Sequence, residues 1–135
     1  MAGFAPIVAD PASARSFYKE TLGLPLAGVS GDYIAVDGWG DVRHLGVWPL
    51  ADAAESCFGT RVWPDTVPVP QATIEFEVAG PDEVATAADE LESAGHTLVH
   101  DARTEPWGQV IARLIGPDGL LIGICHCPWM HTDST

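Results

Sequence analysis

Four residues near the start of the chain, Val8-Ala9-Asp10-Pro11, return 70 positions later as Val78-Ala79-Gly80-Pro81. Further on, Leu45 and Pro49 match Ile124 and Pro128 at an offset of 79, each pair within an apolar run that follows a Gly-containing turn. An internal repeat constrains a fold more than any single motif, because each copy must be one supersecondary unit. Here the unit reads βαβββ. One helix covers one face of its own sheet and leaves the other face to curl around something. The expected fold class is therefore α+β: two βαβββ modules forming a curved mixed sheet around a concave cavity. The chain divides into module 1 (about 1–50), a linker (about 51–71), module 2 (about 72–128) and a tail (129–135), read as one domain.

The elements follow from local chemistry. Phe4–Ala9 alternates as a strand. Asp10-Pro11 then opens a helix, since Asp caps free N–H groups and Pro suits the first helical position. Ala14, Phe17, Tyr18 and Leu22 follow at helical spacing, and Gly23 stops the helix. Strands are expected near 26–30, 33–37 and 42–48. The segment 49–71, which holds Pro49, Pro64, Pro68 and Pro70, reads as a linker with one helical turn around 51–57. The pattern then restarts with a strand over 72–78, a helix from Gly80-Pro81 to Gly95, and a strand near 97–100. A hairpin follows, 110–115 and 120–125 around Gly116-Pro117-Asp118-Gly119. Alternation in its last strand sets Leu121, Gly123 and Cys125 on one face, where Gly123 leaves a gap.

Six Lys/Arg against nineteen Asp/Glu give a net charge of −13. That field repels nucleic acid and anionic lipid and attracts cations, so neither a nucleic-acid nor a membrane partner is expected. Solubility or a salt-adapted host accounts for the same excess. No apolar run approaches the roughly 20 residues that span a bilayer, and three cysteines without a secretion signal read as reduced thiols in a cytoplasmic protein.

Val8-Ala9-Asp10 leading to Ala14-Arg15-Ser16-Phe17-Tyr18 and Leu22-Gly23-Leu24, with Glu105-Pro106-Trp107-Gly108 and Pro117-Asp118-Gly119 in the second half, resembles the vicinal oxygen chelate superfamily. That superfamily includes glyoxalase I, extradiol dioxygenases and the bleomycin-resistance binding proteins. The resemblance covers nearly the whole chain. It implies homodimers and, in metal-dependent members, a divalent cation held by four inward side chains. By the family's spacing and the internal repeat those positions fall on Gly3, His44, Thr73 and Gly123, and one imidazole does not hold a catalytic metal. No metal or other cofactor is expected, although a slip of two residues would bring in Glu75. Cys125-His126-Cys127, with His131 beyond, has zinc-binding atoms but lacks a second cysteine pair.

Alternation turns Thr73, Glu75 and Glu77 to the concave side and Ile74, Phe76 and Val78 toward the helix. Burying carboxylates is costly without a partner, so Glu75 meets either a ligand or an arginine such as Arg43 or Arg113. His44 and Trp48 share the inward face, and Trp107 lies in the loop entering the hairpin. The expected ligand-binding set is His44, Trp48, Thr73, Glu75, Trp107 and Gly123, with Trp39, Phe58 and Trp63 as weaker candidates. No residue is assigned as catalytic, and no G-x-S-x-G elbow or phosphate-cradling loop is present. The leading expectation is a metal-free protein that sequesters a small, cationic, aromatic molecule such as an antibiotic. The alternative is a lyase, dioxygenase or isomerase of the same superfamily.

Overall fold

The computed structural model describes residues 1–131; the side chain of His131 and residues 132–135 lie outside the described residues. Eight strands form one curved mixed sheet: β1 (Gly3–Val8), β2 (Ala27–Ser30), β3 (Tyr33–Trp39), β4 (Val42–Pro49), β5 (Ala72–Glu77), β6 (Leu98–Thr104), β7 (Val110–Ile115) and β8 (Leu121–His126). Their order is β2-β3-β4-β1-β5-β8-β7-β6. Each module contributes four neighbouring strands. Within a module the first strand pairs parallel with the last, β1 with β4 and β5 with β8. The two first strands meet antiparallel at the centre, Gly3 opposite Glu75 and Ala5 opposite Thr73. The repeat read from the sequence is thus a twofold arrangement in space.

Helix α1 (Pro11–Arg15) starts at Asp10, whose carboxylate accepts from the Ser13 N–H at 3.1 Å. It continues as a π-helical stretch, Ser16–Thr21. Its apolar side covers β3 and β4, where Leu26, Ile34 and Val47 pack with Val8, Tyr18 and Leu45. Helix α3 (Pro81–Ser93) sets Val84 and Ala88 against Ala112, with Val78, Leu98 and Val110 around them. Both of these helices lie on the convex face.

The third helix changes the reading of the linker. Where one helical turn was expected around 51–57, Leu50–Phe58 forms a nine-residue helix, α2, ended by Gly59 at φ +75°. Its Ala53, Ala54 and Cys57 pack on Leu121 with Ile7, Trp48 and Trp63, closing one end of the concave face. Full burial of a residue such as Leu121 contributes about 2 kcal/mol. Phe76 departs from expectation in the other direction. Helix α3 packs on β6, β7 and β8, so this side chain on the convex face of β5 stays 45% exposed. Strand β6 runs to Thr104, beyond the expected 97–100, because register shifts within it break the alternation a reader would follow. Trp39, expected in a turn, lies at the end of β3.

Candidate functional site

Cross-strand pairing draws one row of residues across the concave face. Asp37 on β3 stands opposite His44 on β4. His44 neighbours Gly3, one step before the Phe4–Leu45 pair, and a Cβ built on Gly3 would touch the imidazole at 3.5 Å. Gly3 faces Glu75, Glu75 faces Gly123, Gly123 faces Arg113, and Arg113 faces His100. At the level of the row the second module therefore offers Glu75, not Thr73. The repeat offset of 70 is anchored at the start of each helix, whereas the row is set by strand register, and the two differ by one full pleat.

Above this row lies a cavity of about 1040 Å³. His44, Trp48, Glu75 and Trp107 all line it. Thr73 does not: it is 3% exposed, and its hydroxyl has no hydrogen-bond partner among the described residues. Gly123 lies beneath, where a Cβ would stand 2.8 Å from Ile111 Cδ1 and 3.0 Å from Glu75 Cγ. Its missing side chain is what leaves room for Glu75 and Ile111. Phe58, the last residue of α2, packs edge to face with Trp63 in the core, away from the cavity, and Trp39 is exposed elsewhere.

Three hydrogen-bonded groups shape the walls. The first is Asp37–His44–Tyr33. Carboxylates only accept, so Nδ1–H of His44 donates to Asp37 Oδ1 (2.5 Å), which leaves the Nε2 lone pair facing the Tyr33 hydroxyl. Burial holds the Tyr33 phenol well above its usual range, and the charges of Glu75 and Asp37 add to this. The second is Trp107–Gln109–Glu75. The Trp107 indole N–H donates to Gln109 Oε1 (2.9 Å), and Gln109 Nε2 donates to Glu75 Oε1 (2.8 Å). The loop tryptophan and the central carboxylate are thereby tied together. The third is buried: Arg113 Nη1 donates to Glu105 Oε1 (2.8 Å) and to His100 Nε2 (3.1 Å), with the guanidinium 5.4 Å from the centre of the Trp48 ring. Arg103 also reaches Glu105, at 3.3 Å.

The pairing of charges resolves the two alternatives left open for the carboxylates. Arg113 pairs with Glu105 instead of Glu75, which is met by the neutral Gln109. Glu77 is paired with Arg43 at 3.1 Å and also accepts the Cys127 N–H. Tyr33, Asp37 and Gln109 were not assigned to the site from sequence, Arg113 was expected there only as an alternative partner for the inward carboxylates, and Glu105 was noted only as part of the Glu105-Pro106-Trp107-Gly108 motif. A divalent cation of the kind the resemblance implies does not fit this row. Gly3 and Gly123 bring no donor, and both ring nitrogens of His44 are engaged.

The wall is acidic. Asp32, Asp37, Asp52, Glu55, Glu75 and Glu105 line the cavity against Arg61 and Arg113. Both arginines are already paired, Arg61 with Asp52 (2.9 Å) and Glu55 (3.2 Å), Arg113 with Glu105. Four aromatic rings, those of Tyr33, Trp48, Trp107 and Trp129, share the lining.

A model of the glyoxalase/bleomycin resistance protein/dioxygenase superfamily matches residues 4–124. No curated protein matches the chain. Among solved structures, a superfamily member from Vibrio splendidus 12B01 is 14% identical, with 90% of this chain and 94% of that one covered and a TM-score of 0.55. The NAD-dependent benzaldehyde dehydrogenase of Legionella pneumophila is also 14% identical, covering 91% and 96%, with a TM-score of 0.59. At such identity these likenesses concern the fold alone.

Proposed function

The chain belongs to the glyoxalase/bleomycin resistance protein/dioxygenase superfamily, and on that premise we propose that it binds and sequesters a small, cationic, aromatic molecule in its concave cavity without a metal. The observation that carries this reading is the surplus of carboxylate in an aromatic-lined cavity whose two arginines are both already paired. Glu75 stands at the centre of the sheet between two glycines, and its Oε2 has no hydrogen-bond partner among the described residues. A flat cation stacked on Trp48 or Trp107 would meet that oxygen and gain from both ring and charge.

Tryptophan fluorescence titration with ethidium, and with antibiotics that carry an aromatic ring and an amine, tests the proposal. Binding should quench the indoles and weaken as salt rises. Glu75→Gln should weaken it by about tenfold, roughly 1.4 kcal/mol. Flat titrations across the panel, or equal affinity for anionic analogues, would refute it.

One observation favours a second reading. The Asp37–His44–Tyr33 chain is an oriented acid–base group facing the cavity beside Glu75. It supports a metal-free isomerase in which His44, acting through the Tyr33 hydroxyl, and Glu75 move a proton between two atoms of one substrate. Solvent deuterium appearing in a recovered carbonyl ligand, and lost with His44→Gln, would select this reading over simple binding. The family resemblance and the exposed Phe76 on the convex face support a homodimer, and three free cysteines suit the cytoplasm. No described helix is long and apolar enough to cross a membrane.

A further inference from the structure

Strand β8 ends in a cluster of sulfur. Cys125 points to the concave face, and Cys127, two residues on, returns to the same side, so the two Sγ atoms lie 3.9 Å apart. Both residues are essentially unexposed. The short 3-10 turn Pro128–His131 then folds back, closed by the Met130 N–H on the Cys127 carbonyl at 3.0 Å. That turn lays Met130 against the same cluster, with Ala2 and Ile111 completing it. Cys127 and Met130 also line the acidic cavity, which gives the cluster an entry for cations.

We propose that Cys125, Cys127 and Met130 form a binding site for a soft monovalent cation of the copper(I) or silver(I) kind. Thiolate and thioether sulfur select soft ions over magnesium, calcium or manganese. Two thiolates each about 2.3 Å from a shared ion stand about 4 Å apart at a trigonal angle, close to the spacing found. Zinc would need four nitrogen or sulfur donors. Among the described residues, the one group of three His, Cys, Asp or Glu side chains able to converge on an ion is Asp89, Glu92 and Asp101, exposed and elsewhere.

The protons balance simply. Each thiol gives its proton to water as its metal–sulfur bond forms, with no change of oxidation state. Either thiol can donate to the other across 3.9 Å, and Gln109 Nε2 donates to Cys127 Sγ at 3.5 Å, a contact that stabilises sulfur as it gains negative charge.

The test is an anaerobic titration of the reduced protein with copper(I) against a chromophoric chelator, repeated with silver(I) as a redox-inert probe. One equivalent should bind, with thiolate-to-metal absorption in the ultraviolet. Loss of outer-shell partners alone costs 10–100-fold in other metal sites, so Cys125→Ser and Cys127→Ser should each weaken binding by about a hundredfold or more. Met130→Leu should weaken it less. Cys57→Ser should leave it unchanged, since that thiol is buried on the inward side of α2, in a different cluster, and pushed up to about 11 by burial. Should either serine variant fail to fold, alkylation of the wild type followed by peptide mapping gives the same answer. Copper(I) should protect Cys127 and leave Cys57 labelling as it was. Failure to compete with the chelator, retention of binding in the Cys125→Ser/Cys127→Ser double variant, or equal affinity for zinc would overturn the proposal. The drug titration can fail without touching this result.

Discussion

At the scale of single residues, the cavity depends on side chains that are missing. The Tyr33 ring lies flat over Gly46, where a Cβ would stand 2.7 Å from Cε1 and 2.8 Å from Cζ. Gly46 thus lets Tyr33 reach His44. Gly46→Ala should cost about 1–3 kcal/mol through overpacking, read from urea unfolding. It should also free the phenol, so that the Tyr33 ultraviolet titration moves back toward that of an exposed tyrosine. An unmoved titration would mean that the ring tolerates the methyl group without leaving His44. At Gly123 the sequence already showed a gap on an inward face. It could not show that Ile111 and the stem of Glu75 fill that gap, because such contacts come from strands distant in the chain.

At the scale of elements, the strands were legible wherever alternation was clean, and the partners of buried charge were not. Arg113 lies in the middle of an apolar run on β7, and nothing local says which acid it meets. Glu105, in the loop before that strand, reaches it because β7 folds back beside β6 and the loop closes over the edge. Arg113 and Glu105 have side chains only 1% and 6% exposed. Removing one partner of such a pair leaves an uncompensated charge, so Arg113→Met should destabilise by about 3 kcal/mol. The double variant Arg113→Met/Glu105→Leu should recover most of that loss, because Arg103 is exposed enough to be solvated alone. Chemical denaturation of both variants checks this, and equal losses would show that the pair is not coupled. Helix α2 was under-read for a different reason. Leu50, Ala53, Ala54, Cys57 and Phe58 do recur at helical spacing, but Pro49 before them and Pro64, Pro68 and Pro70 after them made the whole segment read as linker.

At the scale of the whole molecule, the repeat made the architecture readable from sequence, and the strand register then corrected its offset by two residues. Parity was preserved, so the inward face was right while the position along β5 was not. The same three-dimensional closure sets the response to acid. His100 is half-buried, with Nδ1 donating to the Asp101 carbonyl at 2.7 Å and Nε2 accepting from Arg113. Burial first, then the positive charge of Arg113 and Arg103, pushes it down to about 4. The unfolded chain takes up that proton near 6.5 and the folded one does not, so stability is full above about pH 6.5 and falls as pH drops toward 4. Thermal unfolding midpoints across this range should decline in the native protein and decline less in His100→Gln. A parallel decline would assign the effect to the carboxylates. The row across the sheet carries one more consequence. Duplication alone would make the two ends of the cavity alike, yet one end holds Asp37 with His44 and the other holds Arg113 with Glu105 and His100. A long guest lying along the row would meet a carboxylate held by a histidine at one end and an arginine–glutamate ion pair at the other. The chamber therefore has a head and a tail, and an asymmetric guest should sit in it only one way round.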